Sequence, residues 1–303
     1  MFVDPYFNVC LATKALNLYP GQEIKAMPIS HIYPNSVCFA KEKSILQIDH
    51  FDIIQGNIGD CWLLSVFSTI AHSYPDKIKN LIKHTDADIG YTIFRILNHD
   101  IVVDHYVPVV CTTDGDFDVV GARISKQNEY WPILLEKCFI KLFSSIWCPI
   151  DVYIFNLKRN ACHYPTYASI HGGFPRWALS VLLGCRIDPI QTNKSNIWDI
   201  LKCEENEKLI ACAMTSTEKT DQHVDEGFVF GHAYAVLYTD YPLIRVRNPW
   251  GIVENTQYND FVDDGEFYVH VDEFVQRFPI ICVAKIKIIS TPETCANSVN
   301  PAL

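Results

Sequence analysis

The chain changes its hydrophobic pattern near its middle, and this change limits the folds open to it. In the first part, Leu63, Val66, Phe67 and Ile70 have the spacing of one buried helix face, and residues 130–147 repeat that spacing. From about residue 185 onward the chain favours strands, because β-branched and aromatic residues dominate at 228–238, 243–248, 266–270 and 280–289. The pattern predicts an α+β fold with a helical N-terminal part and a β-rich C-terminal part.

Three smaller features complete this outline. Residues 91–97 and 101–110 predict a pair of strands within the first part, and residues 271–278 predict a short helix within the second. Gly172 and Gly173 mark a seam between the parts. We therefore expect two subdomains, at residues 1–168 and 169–303.

Composition and charge exclude several classes of protein. Hydrophobic residues make up 49% of the 303 residues, which excludes a disordered chain, and no apolar run approaches the roughly 18 residues of a membrane span. The net charge of −10 argues against nucleic acid or an anionic membrane as a partner. Asp4 stands where a secretion signal would be basic, so we expect a cytoplasmic protein.

The chain has 12 cysteines but no Cys-x-x-Cys pair, which excludes the usual zinc-knuckle and thioredoxin-like spacings. In a reducing compartment most of them are expected to be small buried hydrophobic residues. Cys61 differs, because it stands where a glycine-containing loop meets the start of a helix. The positive end of the helix favours a thiolate there, and unpaired first-turn N–H groups can bind an oxyanion. Gln55 could add a side-chain donor; the alternative is that Cys61 is one more buried residue.

A candidate base lies in a predicted β-hairpin that turns at residues 240–242. With a three-residue turn, His232 faces Trp250 across the hairpin. A turn that differs in length by one or two residues would bring His232 opposite or next to Asn248. Asn248 would accept the Nδ1 proton of the imidazole and leave Nε2 facing a thiol, while Trp250 would exclude water. The alternative is a structural histidine and an asparagine that only begins a turn before Pro249.

The two parts together supply a thiol and an imidazole that could meet in a cleft and cleave a peptide bond. Several segments support this chemistry because they resemble the calpain-type cysteine proteases. They are Gln55-Gly-Asn-Ile-Gly-Asp-Cys-Trp-Leu-Leu, Gly231-His-Ala-Tyr, Ile244-Arg-Val-Arg-Asn-Pro-Trp-Gly, Glu129-Tyr-Trp-Pro-Ile-Leu-Leu-Glu-Lys-Cys and Asp263-Asp-Gly-Glu-Phe-Tyr-Val. With Phe2-Val-Asp-Pro-Tyr-Phe, the likeness covers nearly the whole chain.

The resemblance implies a papain-like fold with the active site between the subdomains. It also implies roles for five residues: Cys61 as nucleophile, His232 as base, Asn248 as orienting residue, Gln55 as oxyanion donor and Trp250 as shield. These roles agree with the reading of the same residues from position alone.

The resemblance further implies one calcium ion in each subdomain. The second-half ligands would be Glu254, Asp260, Asp264, Glu266 and the Val262 carbonyl, and the first-half ligands Asp52, Glu136 and the carbonyls of Ile45 and Gln47. Alternatively, Glu136 lies on the polar face of its helix and the acidic loop is simply solvated. The segment before Asp263 is shorter than in the family, and Asn255 replaces a tryptophan, so the site is expected to close differently.

The leading hypothesis is a calcium-dependent, cytoplasmic cysteine endopeptidase that acts on protein substrates, with a monomer as the expected state. The sequence is expected to be a protease core without the β-sandwich and EF-hand modules of larger members. Two alternatives remain: a catalytically silent binding or regulatory protein with the same fold, and another acyl-transfer enzyme such as a transglutaminase. Asn248 counts against the latter, since such enzymes usually orient the histidine with an aspartate.

Overall fold

The computed structural model describes residues 1–14, 16–42, 45–125, 127–144, 165–216, 224–225, 227–252 and 264–287. Within them the α-helices are Val9–Lys14 (α1), Ile29–Ile32 (α2), Cys61–Ser73 (α3), Pro75–Lys79 (α4), Trp131–Phe143 (α5), Pro175–Leu183 (α6), Ile197–Leu201 (α7) and Val271–Arg277 (α8). Two 3₁₀-helices span His50–Asp52 and Tyr167–Ser169. The chain is a mixture of helix and sheet, as the sequence pattern predicted.

The strands lie between these helices, singly or in runs. They are Ile24–Pro28 (β1), Lys41–Glu42 (β2), Ile45–Leu46 (β3), Ile82–Asp86 (β4), Tyr91–Ile96 (β5), His99–Asp104 (β6), Tyr106–Cys111 (β7), Phe117–Val119 (β8), Pro189–Gln191 (β9), Glu207–Met214 (β10), Val224–Asp225 (β11), Phe228–Val229 (β12), Ala233–Asp240 (β13), Leu243–Arg247 (β14), Glu266–His270 (β15) and Ile280–Lys287 (β16).

Helix α3 lies at the centre of the molecule. It begins at Cys61, directly after the glycine-containing loop, and ends at Ser73, just before the proline that opens α4. The predicted stripe of Leu63, Val66, Phe67 and Ile70 is fully buried. Burial also extends around the other faces of the helix, from Trp62 to Ala71. The reason is that β10, β13 and α6 all pack against it.

The largest sheet is antiparallel and has six strands in the order β15-β14-β13-β10-β16-β9. Alternate residues of its strands point to opposite faces. Ile210 and Cys212 of β10 join the hydrophobic core around α3. Ala211 and Ala213 join a second core on the other face, which includes Phe274 of α8. The β-rich half therefore has a core of its own and also packs against the helix of Cys61.

The first half contains more sheet than predicted. Strands β4, β5 and β6 form one antiparallel sheet, and β1, β7 and β8 form another. The predicted strand at 101–110 is wrong as a single element, because the chain bends at His105 between β6 and β7. The Asp104 carboxylate there is buried between the backbone N–H of Asp4 and the Lys137 ammonium, which fixes the bend.

The seam predicted near Gly172 and Gly173 lies between the 3₁₀-helix Tyr167–Ser169 and α6. The core around α3 runs through this region, since it includes Tyr167, Ile170 and Ala178. The division into residues 1–168 and 169–303 stays a prediction. Among the described residues, no helix combines the length and the apolar character needed to cross a membrane.

Candidate active site

Cys61 is half-buried at the first position of α3. Burial raises the pKa of its thiol to about 12, and a hydrogen bond from the backbone of Ala233 partly opposes this rise. The negative charge of the neighbouring Asp60 adds to it. Ala233 directly follows His232 in the sequence, so the tertiary fold brings the candidate nucleophile and the candidate base into the same site.

His232 is held by Asn248. The His232 Nε2–H group donates a hydrogen bond of 2.8 Å to Asn248 Oδ1. The sequence-based expectation had assigned this bond to Nδ1, and it is wrong on this point. An amide oxygen only accepts, so Nε2 carries the proton and Nδ1 keeps the lone pair that can take a proton from a thiol. Burial lowers the pKa of His232 to about 4, although the bond to Asn248 partly opposes this shift.

Asn248 is itself immobilised. Its Oδ1 accepts a second hydrogen bond from the backbone N–H of Trp250 at 3.1 Å, and its Nδ2 donates to the Ile252 carbonyl at 2.9 Å. These partners fix which end of the amide faces the histidine. The indole ring of Trp250 lies 4.8 Å from the imidazole, measured between ring centroids, and Tyr234 meets the imidazole edge-on at 5.1 Å. Trp250 is therefore in the covering position that the sequence predicted.

The hairpin reaches this arrangement by an unexpected route. Asp240 pairs with Leu243, so the turn has two residues rather than three. A bulge between Val236 and Tyr238 then shifts the register, and Ala235 pairs with Arg247. The bulge restores the register that a three-residue turn would have given, and this is why His232 and Trp250 still meet.

Gln55 connects the loop before Cys61 to the turn after Asn248. Its backbone N–H donates to the Pro249 carbonyl at 2.8 Å. Its side-chain Nε2 donates to the Ile58 carbonyl at 2.7 Å, so the amide points back into its own loop. Within the described ranges, Gln55 Oε1 is buried and has no hydrogen-bond partner. The side chain is therefore close to the site, with one of its two amide N–H groups bound to the Ile58 carbonyl.

The comparisons with known proteins agree with this constellation. The model of the family described as "Calpain family cysteine protease" matches residues 2–147 and 155–261 of the chain. The chain belongs to the calpain family of cysteine proteases.

Individual relatives are distant. Calpain-12 of Homo sapiens is 24% identical over 322 residues, which cover 94% of this chain and 41% of that protein. A calpain of Schistosoma mansoni is 28% identical over 291 residues, covering 82% and 34%. The calpain-2 catalytic subunit of Gallus gallus is 23% identical over 340 residues, covering 98% and 44%. The chain thus spans less than half the length of each of these calpains.

One difference from a poised cysteine protease is visible in this calpain-family site. In the part of the chain that the structure describes, no hydrogen bond joins the Cys61 thiol to either ring nitrogen of His232. Burial moves the pKa values of the thiol and the imidazole in opposite directions, which favours the uncharged form of each. This arrangement favours an uncharged pair over a thiolate–imidazolium pair.

The two first-half acids that the calpain resemblance suggested have different partners in the structure. Asp52 is fully buried; its Oδ2 accepts hydrogen bonds from Trp131 Nε1 and from the Asp49 backbone, each at 3.0 Å. Glu136 is also fully buried, but its Oε1 accepts from the Ala122 backbone at 2.9 Å and its carboxyl interacts with Asp60. Its partner in the structure is therefore Asp60 and not Asp52.

Glu129 is a further buried acid in the first half, and it interacts with Asp52. Its side chain is buried, and its Oε2 accepts a 2.8 Å hydrogen bond from the Ala40 backbone. Burial raises the pKa of Glu129 to about 7, and the charges of Asp52 and Asp49 contribute to this rise. Glu129 was missed as a candidate ligand, although it is the first residue of a segment that carries the calpain resemblance.

The second-half acids are only partly described. Glu254, Asp260 and Val262 lie outside the described residues. Asp264 Oδ1 accepts from the Glu266 backbone at 3.0 Å. The Glu266 carboxylate is buried, ion-paired with Arg245 and in hydrogen-bond contact with His50 Nε2 at 2.5 Å. Among the described residues, no three His, Cys, Asp or Glu side chains form a ready metal site.

A buried cation connects the acids of the two halves. Arg247 is only 1% exposed and donates from its Nη1 to Ser68 Oγ on α3 at 3.3 Å. Burial lowers the pKa of Arg247 to about 10, and the charges of Glu266, Asp264, Asp49 and Asp52 oppose this shift. Arg247 therefore interacts with acids of both halves, one residue before Asn248.

Proposed function

We propose that the chain is a cytoplasmic, calcium-dependent cysteine endopeptidase of calpain type that acts on protein substrates as a monomer. Its two parts, residues 1–168 and 169–303, would form a papain-like pair of subdomains with the active site between them. The observation that carries the proposal is the 2.8 Å bond from His232 Nε2 to Asn248 Oδ1, next to the start of the helix that bears Cys61. A merely structural histidine needs neither that neighbour nor a fixed tautomer.

The residues have defined roles in this mechanism. Cys61 Sγ attacks the carbonyl carbon of the peptide bond, and its proton passes to His232 Nδ1, since Nε2 is engaged by Asn248. The first-turn N–H of Cys61 and the Gln55 side chain stabilise the oxyanion. His232 then protonates the leaving amine, the C–N bond breaks, and a thioester remains. Water hydrolyses the thioester with His232 again taking a proton, and the Cys61 thiol is regenerated.

Two local changes must precede this chemistry. The Cys61 thiol must come within hydrogen-bonding reach of Nδ1, and the second N–H of Gln55 Nε2, which the Ile58 carbonyl does not occupy, must turn toward the oxyanion. Both changes amount to a small movement of the loop and α3 relative to the hairpin. Calpain-type regulation by alignment of the two halves fits this requirement, because the residues are assembled but not yet poised.

The first-half acids fit a calcium ion. Asp52 Oδ1 is buried without a hydrogen-bond partner among the described residues, and Glu129 is a buried acid whose pKa is raised to about 7. Asp52 and Glu129 would hold the ion, with the Gln47 carbonyl nearby, since the Gln47 N–H donates to Ala40, which in turn binds Glu129. If calcium bound there, it would supply positive charge that offsets the negative charges of these two acids. Glu136 does not fit, because its carboxyl is engaged by Asp60 and Ala122.

The second half fits calcium less well in this arrangement, because Glu266 is already paired with Arg245 and hydrogen-bonded to His50. We therefore propose that calcium acts first through the Asp52 and Glu129 site. Binding through Glu266 would require its ion pairs to break.

A catalytically silent calpain-like binding protein is the second candidate. The neutral thiol and neutral imidazole favour it, since burial raises the pKa of Cys61 to about 12 and lowers that of His232 to about 4. Such a pair does not react unless the site rearranges.

The decisive experiment is a calcium titration of casein cleavage, with iodoacetamide labelling of Cys61 followed by mass spectrometry. Wild type should cleave and label above a calcium threshold, and Cys61→Ala should do neither. Cys10→Ser changes another half-buried cysteine outside the site and should behave as wild type. Cleavage that persists in Cys61→Ala would refute the nucleophile. A wild type that neither cleaves nor labels at any calcium level would favour the silent protein.

A further inference from the structure

The loop of residues 55–60 presents Cys61, and its contacts are mostly between backbone groups. The Gln55 N–H binds the Pro249 carbonyl, and the Asn57 N–H binds the Val120 carbonyl at 3.1 Å. A Cβ on Gly56 would lie only 1.8 Å from the Gly121 carbonyl oxygen, so the backbone segments around Gly56 and Gly121 are in direct contact. The first part of the loop is thus fixed by its neighbours' main chain.

The last glycine of the loop is held differently. The Gly59 N–H donates a 3.1 Å hydrogen bond to Nδ1 of His171, which is 112 residues away in the sequence. The Gly59 carbonyl accepts a 2.7 Å bond from the Gly172 N–H. The imidazole also lies against the glycine, since a Cβ there would be 3.0 Å from His171 Cε1 and 3.2 Å from Nδ1.

These contacts fix a residue that would otherwise be mobile. Glycine has the widest backbone freedom, and Gly59 stands two residues before Cys61. The hydrogen bond to the Gly59 carbonyl comes from the backbone of Gly172, whereas the hydrogen bond from the Gly59 N–H depends on the His171 side chain. His171 is itself exposed, so burial does not explain its position.

We propose that His171 is a positioning residue for the nucleophile loop: through unprotonated Nδ1 it holds the Gly59 peptide and so orients the N-terminal turn that carries Cys61 and the oxyanion donors. This inference rests on the proposed peptidase function. His171 itself neither attacks the substrate nor transfers a proton to it. It acts only through Gly59.

Two substitutions test the hydrogen-bond acceptor of His171 and its aromatic ring separately. His171→Phe keeps an aromatic ring over Gly59 but removes the acceptor. His171→Asn removes the ring but offers an amide oxygen at the distance of Nδ1 from the backbone. A third variant, His99→Phe, makes the same chemical change at an exposed histidine on β6 and serves as the control.

The experiment measures kcat and KM on a fluorogenic peptide at saturating calcium, together with amide hydrogen exchange of the peptide spanning residues 55–60. Loss of one neutral hydrogen bond should lower kcat by about 3- to 10-fold in His171→Phe, with KM changed less than about 2-fold, and speed exchange at Gly59 by a similar factor. His171→Asn should restore kcat to within about 2-fold of wild type. His99→Phe should match wild type in both readouts.

Each outcome decides the proposal. If His171→Phe has wild-type kcat and wild-type exchange, or if His171→Asn is as impaired as His171→Phe, the positioning role is wrong. If the wild type cleaves nothing, the peptidase function fails, and hydrogen exchange alone tests the His171–Gly59 bond. Slow exchange in wild type and His171→Asn with fast exchange in His171→Phe would then support the bond, and equal exchange in all three would refute it.

Discussion

The charge state of His232 gives the sharpest prediction, because it distinguishes the arrangement in the structure from a poised thiolate–imidazolium pair. His232 is 4% exposed, and burial lowers its pKa from 6.5 to about 4. The unfolded chain therefore binds a proton on this residue at a higher pH than the folded protein does. The contribution of His232 to the free energy of unfolding is fully present above pH 6.5 and is lost as the pH falls toward 4.

The size of this effect follows from the two pKa values. Between pH 7 and pH 5 the His232 contribution to the free energy of unfolding should fall by about 2 kcal/mol. Other groups titrate in the same range. Burial raises the pKa values of Glu129 and Asp60 to about 7, which acts in the opposite direction, while His105 acts in the same direction as His232. The total pH dependence of the wild type is therefore not informative by itself.

A difference measurement isolates the residue. Urea unfolding of wild type and His232→Gln at pH 7 and pH 5 gives two changes in unfolding free energy, and the wild-type loss should exceed the variant's by about 2 kcal/mol. The contributions of Glu129, Asp60 and His105 cancel in this comparison. Cys61→Ser serves as a second control and should lose stability as the wild type does, since the thiol is neutral.

The opposite result would have a clear meaning. If wild type and His232→Gln lose equal stability, burial does not lower the pKa of His232, and the prediction is refuted. If wild type loses less than the variant, the pKa of folded His232 lies above 6.5, and the charged imidazolium is favoured. If Cys61→Ser then regains the acid-dependent loss, the charge on His232 comes from a Cys61 thiolate.

Three further predictions concern the supports of the site. Asn248→Ala removes the acceptor of His232 Nε2 and should lower kcat/KM by roughly 10- to 100-fold, with KM nearly unchanged; a wild-type kcat would contradict the orienting role. Glu266→Gln leaves Arg245 and His50 without their carboxylate and should cost about 2–4 kcal/mol in urea unfolding, whereas a neutral result would mean that these ion pairs contribute nothing. Gly173→Ala places a Cβ 2.5 Å from Trp62 Cε2 and should cost about 1–3 kcal/mol in urea unfolding; an unchanged free energy of unfolding would exclude the clash.

Much of the fold could be predicted from local pattern. The helices at Cys61–Ser73, Trp131–Phe143 and Val271–Arg277 and the strands from Phe228 onward lie close to the segments that the sequence indicated. Their periodicity is a property of adjacent residues and needs no knowledge of distant contacts. The sheets of the first half were underestimated, because β1 pairs with β7 across more than 70 intervening residues and no local pattern records that partner.

The candidate site likewise has features that follow from local sequence and features that depend on distant contacts. By itself the sequence determined the reactive groups and the family: a cysteine at a loop-to-helix junction, a histidine and an asparagine on one hairpin, and motifs in a fixed order. Only the tertiary structure decided that Nε2 rather than Nδ1 binds Asn248, and that Glu129 rather than Glu136 lies with Asp52. It alone brought His171 onto Gly59. The physical reason is that residue types follow from the sequence, whereas which atoms of distant residues meet depends on how helices, sheets and a single bulge pack together.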